Sequence, residues 1–112
     1  MVLILPELRL YFYELSYILY EKGYFSFLES SEQYFDELID DIKTNLPIKR
    51  HKLAPAHYNK YGKGMKYASF VKSRHTTWYA FFKTYEENGK IIYLVRYIGN
   101  NHTEAHHLYD GF

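Results

Sequence analysis

Residues 74–101, RHTTWYAFFKTYEENGKIIYLVRYIGNN, decide the fold of this chain. Two runs rich in aromatic and β-branched residues flank Asn88-Gly89, a pair that tolerates the positive φ angles of a two-residue type I′ turn. The stretch therefore predicts a β-hairpin. Counting outward from the turn gives the cross-strand pairs Glu87 with Lys90, Phe81 with Arg96, and Tyr79 with Ile98.

This register sorts the side chains of the hairpin onto two faces. One face is uncharged and is expected to form the core; it holds Trp78, Ala80, Phe82, Tyr93, Val95 and Tyr97. The other face mixes apolar residues with two cations; it holds Tyr79, Phe81, Lys83, Leu94, Arg96 and Ile98. A cation in a central strand needs a partner, solvent or a ligand, so the second face is the candidate site. A one-residue bulge would exchange the two faces beyond it.

Two helices are predicted ahead of the hairpin. Residues 2–5 suit a short strand, and Pro6 is well placed to begin a helix that ends near Gly23. Ser30 and Gln33 can form a capping box for a second helix, which Pro47 stops. Both segments have apolar residues at helical spacing, so they are expected to pack together on the sheet.

Residues 66–73, KYASFVKS, predict a strand that pairs with the hairpin through a turn at residues 73–75. The expected fold class is therefore α+β, a two-layer sandwich with an N-terminal helical hairpin packed on a small antiparallel sheet. At 112 residues, the chain has the size of one domain, residues 1–112.

Charge is distributed unevenly along the chain, although the formal net charge is only +1. Residues 1–46 hold three Lys/Arg against nine Asp/Glu, which gives −6, and residues 47–112 hold eleven against four, which gives +7. A basic half can bind phosphates. The basic connector, residues 48–64, also carries Tyr58 and Tyr61, which suits an RNA backbone with stacked bases as well as an ordinary solvated loop.

Several classes of protein receive no support from the sequence. Cysteine is absent, which excludes disulfides and thiolate metal sites and is compatible with the cytoplasm, the expected location. No signal peptide or membrane-spanning run is found, so no membrane partner is expected. His102 and His106 do not match the zinc motif H-E-x-x-H because Thr103 follows the first histidine. Neither a metal nor another cofactor is expected.

The chain resembles the RelE/ParE superfamily, the toxins of bacterial type II toxin–antitoxin systems, over nearly its whole length. The resemblance rests on the paired N-terminal helices, the basic connector, KYASFVKS, RHTTWYAFFKTYEENGKIIYLVRYI and the terminal NNHTEAHHL. It implies a toxin that inhibits growth as a metal-independent, ribosome-dependent mRNA endoribonuclease. The alternatives are a ParE-like gyrase inhibitor and a non-catalytic protein-binding module. The implied partners are a cognate antitoxin and ribosome-bound mRNA.

The resemblance also implies site residues. The catalytic candidates are Arg74, Arg96, His102 and Tyr79. The RNA-binding candidates are Lys63, Lys66, Lys52, Lys60 and Lys83. Arginine suits phosphate because its fork stays charged, and histidine suits proton transfer because it titrates near neutrality. The general base is left open between Tyr79, Tyr97 and His102, Tyr109 loosely matches the family's C-terminal tyrosine, and Arg96 has an ion pair with an acid of the second helix as its alternative role.

Overall fold

The computed structural model describes residues 1–109, which form a five-stranded sheet with helices on both of its faces. The strands are β1 (Val2–Ile4), β2 (Lys52–Leu53), β3 (Lys66–Ser73), β4 (Thr76–Glu87) and β5 (Lys90–Asn100). The helices are α1 (Pro6–Glu21), α2 (Leu28–Asn45) and α3 (Asn101–Tyr109), with short 3-10 helices at Leu46–Ile48 and Ala56–Tyr61.

The sheet has the order β1-β5-β4-β3-β2. Strands β2 to β5 pair antiparallel, as predicted for the hairpin and for residues 66–73, whereas β1 pairs parallel to β5. The class α+β is therefore correct, and β1 confirms the short strand predicted for residues 2–5. The sheet is mixed because β1 is parallel to β5, and β2 is an edge strand that the sequence did not predict. Within residues 1–109, no helix has both the length and the apolar character that crossing a bilayer requires.

The predicted hairpin is present, with Asn88 at φ 53° and Gly89 at φ 77° and with Glu87 opposite Lys90. Phe82 lies opposite Val95, but Phe81 lies opposite Tyr97, so one extra residue, Arg96, forms a bulge in β5.

The bulge makes the sequence-based register wrong beyond this point. Phe81 does not pair with Arg96, and Tyr79 pairs with Gly99 rather than with Ile98. Ile98 consequently joins the core on the helix side of the sheet, and Tyr97 moves to the opposite face. The assignment of the remaining core residues of the hairpin is confirmed.

Helices α1 and α2 cover the first face of the sheet and bury a core around Phe12, Phe35 and Trp78, whose rings meet edge to face or stacked. The Trp78 Nε1–H donates to the Tyr34 hydroxyl at 2.9 Å, so the indole nitrogen is satisfied inside the core. The predicted capping box is wrong: α2 begins at Leu28, without a side-chain cap, and Ser30 lies within its first turn.

The second face is covered in part by the 3-10 helix Ala56–Tyr61 and by α3. A second core lies between them and the sheet; it contains Tyr58, Met65, Tyr67, Tyr79, Phe81 and Leu108. The connector is therefore largely a folded segment rather than a solvated loop. The C-terminal part of the connector lies against the bulge in β5.

Candidate nucleic-acid interface

The bulge brings two side chains of β5 against the 3-10 helix Ala56–Tyr61. The Arg96 Nε–H donates to the Tyr61 carbonyl oxygen at 2.6 Å. The Tyr97 ring stacks on the Tyr61 ring, with centroids 4.2 Å apart and planes inclined by 6°. Arg96 thus holds the backbone of Tyr61, and Tyr97 holds its ring.

The next residue, Gly62, lies directly over the side chains of Arg96 and Lys83. A Cβ at this position, where φ is 152°, would lie 3.4 Å from the Arg96 Nε and 3.4 Å from the Lys83 Cδ. Arg96 and Lys83 are both half-buried beneath this glycine. The close approach, together with the positive φ, explains why glycine occupies the position.

Two lysines of the connector stand beside this crossing. The Lys60 Nζ lies 5.4 Å from the centroid of the Tyr61 ring, and Lys63 follows Gly62 on the exposed surface. We call this set the Arg96 cluster; it consists of Lys60, Lys63, Lys83 and Arg96 with the stacked rings of Tyr61 and Tyr97. The cluster combines four cations with an aromatic pair, the combination that binds single-stranded nucleic acid.

Within residues 1–109, no ion pair joins a carboxylate to one of the four cations of the cluster, and the buried Glu104 carboxylate reaches the cluster only through the Tyr97 hydroxyl. The ion pair in this part of the chain joins Lys72 to Glu37 at 3.8 Å, on the opposite face of the sheet. An ion pair between Arg96 and an acid of α2 is excluded because the sheet separates them. The Arg96 cluster therefore keeps its positive charge available for a ligand.

The fold converts the charge asymmetry of the sequence into two opposite surfaces. All nine acids of residues 1–46 lie on α1 and α2, which cover the first face. The Arg96 cluster lies on the second face. Lys52 also belongs to the second face because it pairs with Tyr67, whereas Lys66 pairs with Phe82 and points to the helix side.

The structure places the predicted catalytic residues at different levels of the sheet. Arg74 is exposed in the turn between β3 and β4, and the His102 Nε2 lies 3.4 Å from the Thr76 Oγ1 at the same end of β4. Phe82, which lies beside the bulge at Arg96, follows Thr76 by six positions and is in the middle of β4, roughly 20 Å along the strand. Arg74 and His102 therefore lie at one end of β4, away from Arg96.

Two tyrosines named from the sequence are inside the protein. Tyr58 is 1% exposed and stacks on Phe81 with centroids 4.1 Å apart, which excludes base stacking, one of the two alternatives left open for this residue. Tyr79, the proposed proton-transfer residue, is 4% exposed in the second core. Tyr109 ends α3, and its side chain lies outside the described part of the structure.

Sequence reasoning missed the buried carboxylate that holds this surface together. Glu104 is 5% exposed; its Oε1 accepts from the Tyr58 hydroxyl and its Oε2 from the Tyr97 hydroxyl, each at 3.0 Å. A Cβ at Gly99 would lie 2.6 Å from the Glu104 Cγ, so only glycine leaves room for this side chain. The sequence did contain one signal: Gly99 lies near the end of a strand rich in β-branched and aromatic residues, where a glycine indicates the close approach of another group.

Ionisation in this region follows from burial and from the charge of Glu104. Burial first, and the carboxylate second, raise the pKa of the Tyr58 and Tyr97 hydroxyls well above the ordinary value of 10.0, so both remain donors at neutral pH. On the same 3-10 helix, burial and the charges of His107 and Lys60 lower the pKa of His57. Among residues 1–109, no three His, Asp or Glu side chains are grouped to hold a metal ion.

Comparison with protein-family models, with curated proteins and with solved structures found no match for this chain.

Replacing Glu104 by alanine should lower the free energy of unfolding by at least about 2 kcal/mol, because two buried hydroxyls lose their acceptors. Glu104→Gln should retain more stability than alanine, since its amide can still bond to both tyrosines. Urea unfolding measures both values. The control Glu86→Ala, at an exposed position of β4, should stay within about 0.5 kcal/mol of wild type. Equal losses from Glu104→Ala and Glu86→Ala would contradict this role for the carboxylate.

Stability should also fall steeply above pH 10. The folded state holds the hydroxyl protons of Tyr58 and Tyr97 more tightly than the unfolded state, so this stabilisation is complete below pH 10 and is lost as the pH rises further. Tyr97→Phe should make the decline shallower, whereas Tyr13→Phe, at an exposed position of α1, should not. Urea unfolding from pH 8 to pH 11 tests this. A decline of equal slope in wild type and Tyr97→Phe would refute the assignment.

Proposed function

We propose that this protein is a toxin of the RelE/ParE type that binds RNA on the second face of its sheet and cleaves ribosome-bound mRNA without a metal, in the cytoplasm. The observation that carries the proposal is the Arg96 cluster, in which four cations without an ion pair to a carboxylate lie beside an aromatic stack. The order of the elements supports it, since a strand, two helices, an antiparallel meander and a short helix follow one another as the resemblance implies.

The chemistry of such cleavage needs charge more than it needs a nucleophile from the protein. The ribose 2′-hydroxyl loses its proton and its oxygen attacks the adjacent phosphorus, the bond from phosphorus to the 5′-oxygen breaks, and that leaving oxygen takes up a proton. The negative charge that develops on the phosphate oxygens must be stabilised. Arg96 uses its Nε–H on the Tyr61 carbonyl, which fixes the guanidinium and leaves its terminal nitrogens for two phosphate oxygens. Lys83 lies under the same glycine and adds a second positive charge.

The partner that would silence this toxin follows from the same charges. A cognate antitoxin would cover the Arg96 cluster with an acidic segment, partly disordered when free, because carboxylates can replace the phosphates of RNA. The acidic surface of α1 and α2 lies on the other face and repels such a segment, so the antitoxin has one preferred side.

The second candidate is a ParE-like gyrase inhibitor or a non-catalytic binding module with the same fold. One observation favours it: the groups proposed for proton transfer are not beside Arg96. Tyr79 is buried in the second core, and His102 lies at the Thr76 end of β4, away from Arg96. Binding without cleavage needs only the cations and the stacked rings.

Induced expression in bacteria, with growth and transcript 5′ ends followed together, tests the proposal. Wild type should arrest growth and create new ends inside translated codons. Arg96→Ala and Lys83→Ala should relieve the arrest because the phosphate loses its charges. The control Arg50→Ala removes an exposed arginine of the connector and should remain toxic.

Each other outcome is informative. Arrest with intact transcripts and damaged DNA would support gyrase inhibition, and no arrest from folded protein would support the binding module. If Arg96→Ala and Lys83→Ala both fold, as judged by circular dichroism, and both still arrest growth, the Arg96 cluster is not the site.

A further inference from the structure

A groove of about 450 Å³ opens on the helix side of the sheet, where β4 begins and β5 ends, away from the Arg96 cluster. Its walls combine aromatic rings with polar side chains; they include Tyr24, Phe25, Tyr34, Trp78, Asn100 and His102. The volume falls within the range of small-molecule sites, and the lining has the mixture of rings and a few polar groups that such sites use.

The corner between α1 and α2 places an exposed ring at this groove. Gly23, at φ 83°, lets the chain turn after α1, and the Tyr24 N–H donates to the Leu19 carbonyl oxygen at 3.0 Å. The Tyr24 side chain is 73% exposed. Phe25 leans against Tyr34, with ring centroids 5.7 Å apart. Tyr24 thus presents a face that the core does not use.

Polar groups occupy the other side of the groove. The Asn100 Oδ1 accepts from the His102 N–H at 2.9 Å, and the Asn100 Nδ2 donates to no residue within 1–109. That amide is a donor suited to a carbonyl oxygen or a ring nitrogen of a base. Two side chains that can carry positive charge are close to this side in the chain: His102 lines the groove, and Arg74 is the exposed residue directly after Ser73, which also lines it.

We propose that this groove binds one nucleotide of single-stranded RNA, with the base on Tyr24 and the phosphate at Arg74 and His102. The inference rests on the proposed function, since it supplies a second contact for the same class of ligand. Unpaired bases are recognised by stacking on aromatic side chains and by hydrogen bonds to their edges, and the groove offers both. It also gives a shared role to Arg74 and His102, which the fold separates from Arg96.

The single tryptophan of the chain, Trp78, lines this groove, so its fluorescence reports directly on occupation. The four ribonucleoside 5′-monophosphates are titrated separately, with ribose 5-phosphate as the probe that lacks a base. At least one nucleotide should change the emission saturably, and ribose 5-phosphate should not. Tyr24→Ala should weaken that binding at least about fivefold through loss of stacking.

Matched variants separate the parts of the proposal. Arg74→Ala should weaken binding of the nucleotide but not of the corresponding nucleoside, because it removes a phosphate contact only. Tyr13→Ala removes another highly exposed tyrosine, on α1 away from Asn100 and His102, and should leave the titration unchanged. No saturable change with any nucleotide, or equal binding by wild type and Tyr24→Ala, would overturn the proposal.

Lys83→Ala distinguishes this site from the Arg96 cluster. It should weaken binding of an RNA oligonucleotide while leaving the mononucleotide titration unchanged. An oligonucleotide that depends on Lys83 but not on Tyr24 would overturn the groove and leave the proposed function standing. An oligonucleotide that depends on Tyr24 but not on Lys83 would support the groove and count against the Arg96 cluster.

Discussion

One extra residue in β5 sets the arrangement of the second face. Because Arg96 has no partner across the ladder, every side chain after it changes face relative to a regular strand. Ile98 enters the main core, and Tyr97 turns to the other side, where it stacks on Tyr61. In a regular strand, Tyr97 would be buried beneath α1 and α2, and Tyr61 of the connector would lose the ring on which it stacks.

The buried Glu104, on α3, holds the second face together with the bulge. Its two oxygens bind hydroxyls from the 3-10 helix and from β5, so a single carboxylate joins α3, the connector and the sheet. Such a group is costly to bury alone but is stabilising when both of its oxygens are satisfied. Gly99 provides the space that this side chain needs. The segment of the connector that carries Lys60 and Lys63 is therefore attached to both α3 and β5.

The sequence predicted the features that local chemistry determines. Asn88-Gly89 specified the turn, Pro6 marked the start of α1, and apolar spacing identified both long helices. The bulge was not predictable, since tertiary contacts of Tyr97 favour it and the strand pattern alone fits either register. The sequence also failed to predict which site residues are close together. Arg74 and Arg96 both belong to the hairpin region, but only the strand pairing shows that Arg74 precedes β4 whereas Arg96 lies beside its middle.

The central claim is that RNA binds the second face through the Arg96 cluster, and backbone amide shifts of isotope-labelled protein titrated with a single-stranded RNA oligonucleotide test it most directly. The account predicts large shifts at Gly62, Lys83 and Arg96, and weaker binding as salt rises, because phosphate contacts release counterions. Saturating shifts confined to the acidic surface of α1 and α2, or no shifts at low salt, would contradict it.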